Sequence, residues 1–174
     1  MDAAAIASDI PSRALMRVAA ANAATIIAGR CAALGRLASG VVVYTGAGNN
    51  GGDGWAVARS LAVAGLRVSV REIVAAATPD AIAERDAFHA CCAITDDDGF
   101  AGGIIVDAML GTGSTGEPRA PIADAVRAVN ALHDRGAFVV ALDVPTGLDA
   151  TSGVGKCSVR ADLTINFGTC KRGV

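Results

Sequence analysis

Aromatic side chains are scarce: four Phe, one Trp and one Tyr make up 3% of the 174 residues. Hydrophobic residues nevertheless reach 52%. The interior must therefore be built from Ala, Val, Ile and Leu, which suits helices packed on buried strands. An excess of either charge is also missing, since 15 basic and 17 acidic residues leave a net −2. No basic stripe and no basic-aromatic interleaving supports a nucleic-acid partner. Histidine occurs only at His89 and His133, each inside a helical stretch and away from the loops. Both read as surface or packing residues, and no Ser-His-Asp or Cys-His arrangement is visible. The five cysteines, Cys31, Cys91, Cys92, Cys157 and Cys170, are odd in number and match no zinc spacing. They read as reduced thiols of a cytoplasmic protein, with Cys91 and Cys92 in or near the core. The N-terminus lacks the basic and apolar regions of a signal peptide. The most apolar helical stretch, residues 18–37, is interrupted by Asn22, Arg30 and Arg36, so no membrane span is expected.

What the chain does have is glycine, 21 residues of it, mostly in tight clusters. Clustered glycine marks loops whose backbone approaches something closely. The length suits one domain, residues 1–174. Ser12 to about Leu37 reads as a helix, with Leu15, Val18, Ala19, Asn22 and Ile26 at helical spacing. Strands are expected at residues 40–46, 66–73, 103–110, 137–145 and 161–168. Helices are expected at 53–65, 78–92 and 120–136, the second with Thr78 as N-cap and Pro79 in its first position. Strands alternating with helices give a mostly parallel central sheet in a three-layer α/β/α, Rossmann-like fold. Such sheets bind ligands beyond the carboxyl ends of their strands, and three polar, glycine-rich segments fall there.

The first segment, "TGAGNNGGDGWAVA", fits the G-x-G-x-x-G fingerprint with Gly46, Gly48 and Gly51. It could bind a dinucleotide, with Glu72 as the acidic ribose partner. Asn49, Asn50 and Asp53 are foreign to that use, because Asp53 places a carboxylate where phosphate would sit. Asp53 could instead cap the following helix. The second segment begins at Asp107, inside the apolar "IIVDAML", where a carboxylate must be satisfied by hydrogen bonds or a cation. It continues through Gly111, Thr112, Gly113, Ser114, Thr115, Gly116 and Glu117, whose amides and hydroxyls can wrap a phosphate. Arg119 beyond it reads as a solvated helix start. The third, "LDVPTGLDATSG", offers Asp143 as a general acid or base at a concave rim. Asp107, Asn50 and Thr146 are oxygen ligands of the kind a hard cation takes.

"GAGNNGGDGWAVARSL", "VDAMLGTGSTGEPR", "DVPTGLDATSG" and "ADLTINFGTCKRG" together resemble the NAD(P)H-hydrate epimerase family, the YjeF N-terminal domain, from about Ile10 onward. The resemblance implies a homodimer that interconverts the R and S forms of NADHX and NADPHX, dinucleotides hydrated at C6 of the nicotinamide ring. It implies substrate contacts from Asn49, Asn50, Gly51, Gly52, Asp53, residues 111–117 and Asp143. It also implies one potassium ion per subunit on Asn50, Asp107 and Thr146. Asp143 is expected as the acid/base and Asp53 as the assisting group. A separate dehydratase would consume the S form.

Two departures from the family pattern stand out. Met16-Arg17-Val18-Ala19-Ala20 replaces the usual "MENAG" of the first helix, which bears on contacts to the site or to a dimer partner. The sequence ends at Val174, the last residue of "GTCKRGV", where relatives continue through a further strand and helix, so either a truncated piece or a minimal variant with one open sheet edge is expected. A non-catalytic nucleotide- or protein-binding module of the same fold is the alternative. Its mark would be loss of the acidic and oxygen-ligand positions, and Asp53, Asp107, Asp143 and Thr146 are all present.

Overall fold

A computed structural model describes residues 10–92, 103–114, 116–168 and 171–173. In chain order the elements are α1 (Ser12–Ala33), β1 (Val41–Thr45), α2 (Asn49–Val63), β2 (Val68–Glu72), α3 (Pro79–Cys91), β3 (Ile104–Ala108), α4 (Ile122–Asp134), β4 (Phe138–Leu142) and β5 (Leu163–Ile165). The five strands lie in the order β2-β1-β3-β4-β5. Every pairing is parallel, with Val41 opposite both Val68 and Ile104, and Ile104 opposite Phe138. β1 and β3 are buried along their whole length, as parallel strands covered on both faces must be.

The pleat divides the core in two. Val41, Val43, Ile104, Val106, Val140 and Leu142 face α1, α2 and α3. Val42, Tyr44, Ile105 and Val139 face α4 through Ile122, Ala125, Val126 and Val129. The three-layer α/β/α expectation holds, and the sheet is parallel throughout the described residues. β5 is shorter than the sequence suggested, three residues at the sheet edge.

Three further expectations need correction. α1 stops at Ala33, before Gly35 turns the chain at φ 65. Its buried stripe is Met16, Ala20, Ala23, Ala24, Ile27 and Cys31, one position off the stripe at 15, 18, 19, 22 and 26. Small alanines let the helix approach the core, while Val18 (63% exposed) and Ile26 (45%) point away. Cys91 is exposed rather than in or near the core, whereas Cys92 is half-buried and packs against the core as expected. The cysteines among the described residues are all free thiols. The Thr78 cap is as expected, its Oγ1 accepting from Ala81 N–H at 3.3 Å.

α1 is fastened to α3 by charge as well as by packing. Glu84 of α3 is fully buried and meets Arg13 and Arg17 of α1 and Arg59 of α2. Burial would raise its carboxyl pKa, but hydrogen bonds from Arg13 and Arg17 overcome that and hold it below the ordinary Glu value. A group whose pKa is lowered by folding stabilises fully above its unfolded pKa and loses that contribution as pH falls through the folded one. Acid unfolding should therefore begin with this cluster. Glu84→Gln is expected to lower stability at neutral pH by about 2–4 kcal/mol and to flatten its acid dependence in urea titrations from pH 7 to 3. An unchanged acid limb would remove Glu84 from that role.

Candidate functional site at the carboxyl rim

α2 begins at Asn49, not at Asp53, so the glycine-rich segment forms its first turn. Asp53 is therefore not the N-cap. Gly48 holds that place and offers no side chain to the free N–H groups. The glycines are there for space. A Cβ on Gly51 would lie 1.9 Å from the Gly46 carbonyl oxygen, and one on Gly46 would lie 2.0 Å from that of Met109. A Cβ on Gly54 would meet the Ala108 methyl at 2.6 Å. The helix start is thus pressed directly onto the ends of β1 and β3. Glu72, the supposed ribose partner, accepts from Ala76 N–H at 2.9 Å and pairs with Arg85 at 3.8 Å.

Asp107 is the penultimate residue of β3, with 0% exposure. Its carboxylate accepts the N–H of Met109 (3.2 Å) and both the N–H (2.8 Å) and the hydroxyl (2.7 Å) of Thr146. Burial raises its pKa to about 6 against the pull of those bonds. The Thr146 hydroxyl in turn accepts from Leu110 N–H at 3.0 Å. The Leu110 carbonyl accepts from Asn50 Nδ2 at 3.0 Å. Asp107 is thus satisfied by loop amides, and the three loops become one hydrogen-bonded unit. The other amide atom, Asn50 Oδ1, is buried without a partner.

Asp143 follows β4 in an unusual backbone state. Among the described residues it is the one non-glycine residue with positive φ, 65°. Val144 N–H donates to the Leu142 carbonyl at 2.8 Å, closing a three-residue turn around it. Such turns are rare and strained, and strain of this kind gathers at functional sites. Lys171, which the sequence reading left unassigned, donates from Nζ to Asp143 Oδ1 and to the Phe167 carbonyl, the latter at 2.9 Å. The ammonium and carboxylate are 14% and 15% exposed. The available signal was a lysine in "FGTCKRG", just past the last strand and so on the same rim.

Asp53 and Asp143 face one cavity of about 290 Å³, lined also by Met16, Asn49, Asn50, Thr78 and residues 111–113. Burial, then the neighbouring charges of Asp143 and Asp80, raise the Asp53 pKa to about 8. Asp53 carries a proton at neutral pH, while Asp143 is ion-paired. The site therefore presents a buried carboxyl and an ion-paired carboxylate to the same space. Ser114, Gly116 and Glu117 line a neighbouring cavity. Gly51 and Gly52 are buried behind the helix start, and Thr115 lies outside the described residues.

Comparison with known proteins gives the family. A family model described as YjeF-related protein N-terminus matches residues 12–173. The chain belongs to this family. An NAD(P)H-hydrate epimerase of Pirellula staleyi is 42% identical over 146 residues, covering 75% of this chain and 63% of its own length. One from Limosilactobacillus fermentum is 37% identical, covering 79% and 67%. A bifunctional NAD(P)H-hydrate repair enzyme Nnr of Thermanaerovibrio acidaminovorans is 39% identical over 99% of this chain, which spans 35% of that protein. The crystal structure of yeast ynu0, YNL200c, shares the fold with a TM-score of 0.76 at 23% identity, covering 94% of this chain and 74% of its own. This YjeF-type domain thus spans about a third of the bifunctional relative and about two thirds of the epimerases.

The glycine packing is testable by one pair of substitutions. Gly51→Ala forces backbone against backbone and is expected to cost about 2–3 kcal/mol. Gly29→Ala, in α1 with nothing within 4 Å of its Cβ position, is expected to gain roughly 0.5–1 kcal/mol from helix propensity. Chemical denaturation of both should give opposite signs.

Proposed function

We propose that this chain interconverts the R and S forms of NADHX and NADPHX. The observation that carries the reading is that Asp53, whose pKa burial raises to about 8, and the Lys171-paired Asp143 face one cavity beside Asn49 and Asn50. The names of the similar epimerases supply the substrate class. C6 of the hydrated ring bears a hydroxyl next to the ring nitrogen. Inverting it needs one proton given and one taken, whether the ring opens at the C6–N bond and recloses or the hydroxyl leaves as water and returns on the other face. Asp53 would give the proton and Asp143 would take it, and the reverse transfers would restore both. Asn49, Asn50 and the loop at residues 111–117 would hold the dinucleotide.

The oxygen set fits a potassium ion. Asn50 Oδ1 is buried with no partner, and Thr146 and Asp107 stand on the same network. Among the described residues no three His, Cys, Asp or Glu side chains gather as a metal site, so amide, hydroxyl and carbonyl oxygens suit an alkali cation better than a transition metal. Potassium there would supply a fixed positive charge offsetting the nearby carboxylates. A homodimer would cover the outer apolar stripe of α1, where Leu15, Val18 and Ile26 lie. Free thiols fit a reducing, cytoplasmic setting, and no helix among the described residues is long and apolar enough to cross a membrane. A dehydratase acting on the S form would be the functional partner.

The deciding assay supplies R-NADHX with an S-specific dehydratase and follows NADH. A rate above spontaneous epimerisation is expected, falling as pH rises through about 8 when Asp53 loses its proton. Asp143→Asn should lower kcat by about 10²–10⁴-fold, and Lys171→Met by up to about 10²-fold through misplacement of Asp143. Binding without turnover in folded, potassium-supplied protein would make this the non-catalytic module instead.

Potassium has its own test by thermal melting. Potassium chloride should raise Tm above sodium or choline chloride at equal ionic strength, and Asn50→Ala should abolish the difference. Equal melting in all three salts would exclude the ion.

A further inference from the structure

The adjacent cysteines lie at the end of the sheet away from the acidic rim. Cys91 ends α3 and Cys92 is its C-cap. Both line a cleft of about 250 Å³ between the end of α2 and the start of β2. Ala62, Val63, Leu66 and Val68 form the apolar part of its wall. Val63 is 73% exposed, so the cleft opens to water.

The two thiols are held side by side. Cys91 Sγ donates to the Ala87 carbonyl at 3.1 Å and stands 3.4 Å from Cys92 Sγ. Cys92 N–H donates to the Phe88 carbonyl at 2.9 Å, which fixes the backbone between them. Both thiols are free. A disulfide suits them badly. Cα atoms joined by a trans peptide are about 3.8 Å apart, closer than the roughly 4.4–6.8 Å that disulfides span. One atom bridging both sulfurs suits them better. Bonded to each at about 2.3 Å, the length of a zinc–thiolate bond, it would see the 3.4 Å pair at an angle of about 95°.

That angle selects the bridging atom. Tetrahedral zinc needs about 109° and four ligands, and no three His, Cys, Asp or Glu side chains gather among the described residues. Two-coordinate copper(I) sets its sulfurs on opposite sides. Trivalent arsenic forms a low pyramid with angles near a right angle, and needs only two thiols when its third bond is already made to carbon. Its hydroxides are uncharged in neutral water, so Arg67 in the cleft lining does not repel them as it would a dipositive ion. Burial, then the hydrogen bond and charge of Cys91, hold the Cys92 thiol above its ordinary pKa. Cys92 thus keeps its proton at neutral pH and brings it to the exchange.

We propose that Cys91 and Cys92 form a chelating site for trivalent organoarsenicals, R–As(OH)2, with the organic group R seated in the cleft. Two As–S bonds form and two As–O bonds break. Each thiol proton leaves with a hydroxide as water, and no electron changes hands. The adduct is uncharged and buries R against Val63, Leu66 and Val68, which removes apolar surface from water. The site is remote from the carboxyl rim and does not depend on the epimerase reading.

Phenylarsine oxide and sodium arsenite are the probes, added to the reduced protein. One equivalent of phenylarsine oxide should remove two titratable thiols, and a small dithiol, but not a monothiol, should restore them. Cys91→Ser and Cys92→Ser should each weaken binding by about 10²-fold or more, because a chelate becomes a single bond. Cys157→Ser combined with Cys170→Ser should leave it as in the wild type. Val63→Asp, at an exposed position, should weaken phenylarsine oxide several-fold and leave arsenite nearly unchanged, since arsenite has no organic group to seat. Loss of one thiol per arsenic, undiminished binding in both single serine variants, or no preferential loss of phenylarsine oxide in Val63→Asp would overturn the site.

Discussion

The rim of this domain depends on the buried carboxylate of Asp107. One side chain, wholly removed from water, collects the amide and hydroxyl of Thr146 and the amide of Met109. Thr146 passes the connection to Leu110, and Leu110 to Asn50. Loops after three different strands are thereby held in one arrangement, though they are far apart in sequence. A buried carboxylate is costly unless its lone pairs are used. Here the cost is offset by bonds that also fix the geometry of the cavity. Loss of Asp107 would release three loops together.

Above that tie the chain sets two carboxylates against each other. Asp53 sits within a helix packed so closely on the sheet that glycine is required at residues 46, 51 and 54. Burial and the charge of Asp143 both favour its neutral form. Asp143 has instead the Lys171 ammonium. Two identical functional groups thus stand in different electrostatic surroundings, and the difference arises in packing and ion pairing rather than in residue type.

The strands were legible because parallel, doubly covered strands are β-branched runs bounded by glycine, as "VVVYTG" and "GIIVDA" are. The fold class followed from their alternation with helices. The start of α2 was not legible, because Gly51, Gly52 and Gly54 argue against a helix by propensity, and only close contact with β1 and β3 explains them. The buried face of α1 was missed for a related reason. Alanines, which carry little hydrophobic signal, face the core, and the larger Val18 and Ile26 do not. Asp53, Asp107 and Asp143 were legible as carboxylates at strand or helix ends. Lys171 was not, since its role is a tertiary contact with a residue 28 positions earlier.

The turn at Asp143 sets stability and chemistry in opposition. A backbone at φ 65 favours glycine, so the residue most comfortable there has no carboxylate at all. Laboratory evolution for heat resistance alone would be drawn to Asp143→Gly and would return a sturdier protein without the carboxylate that Lys171 holds.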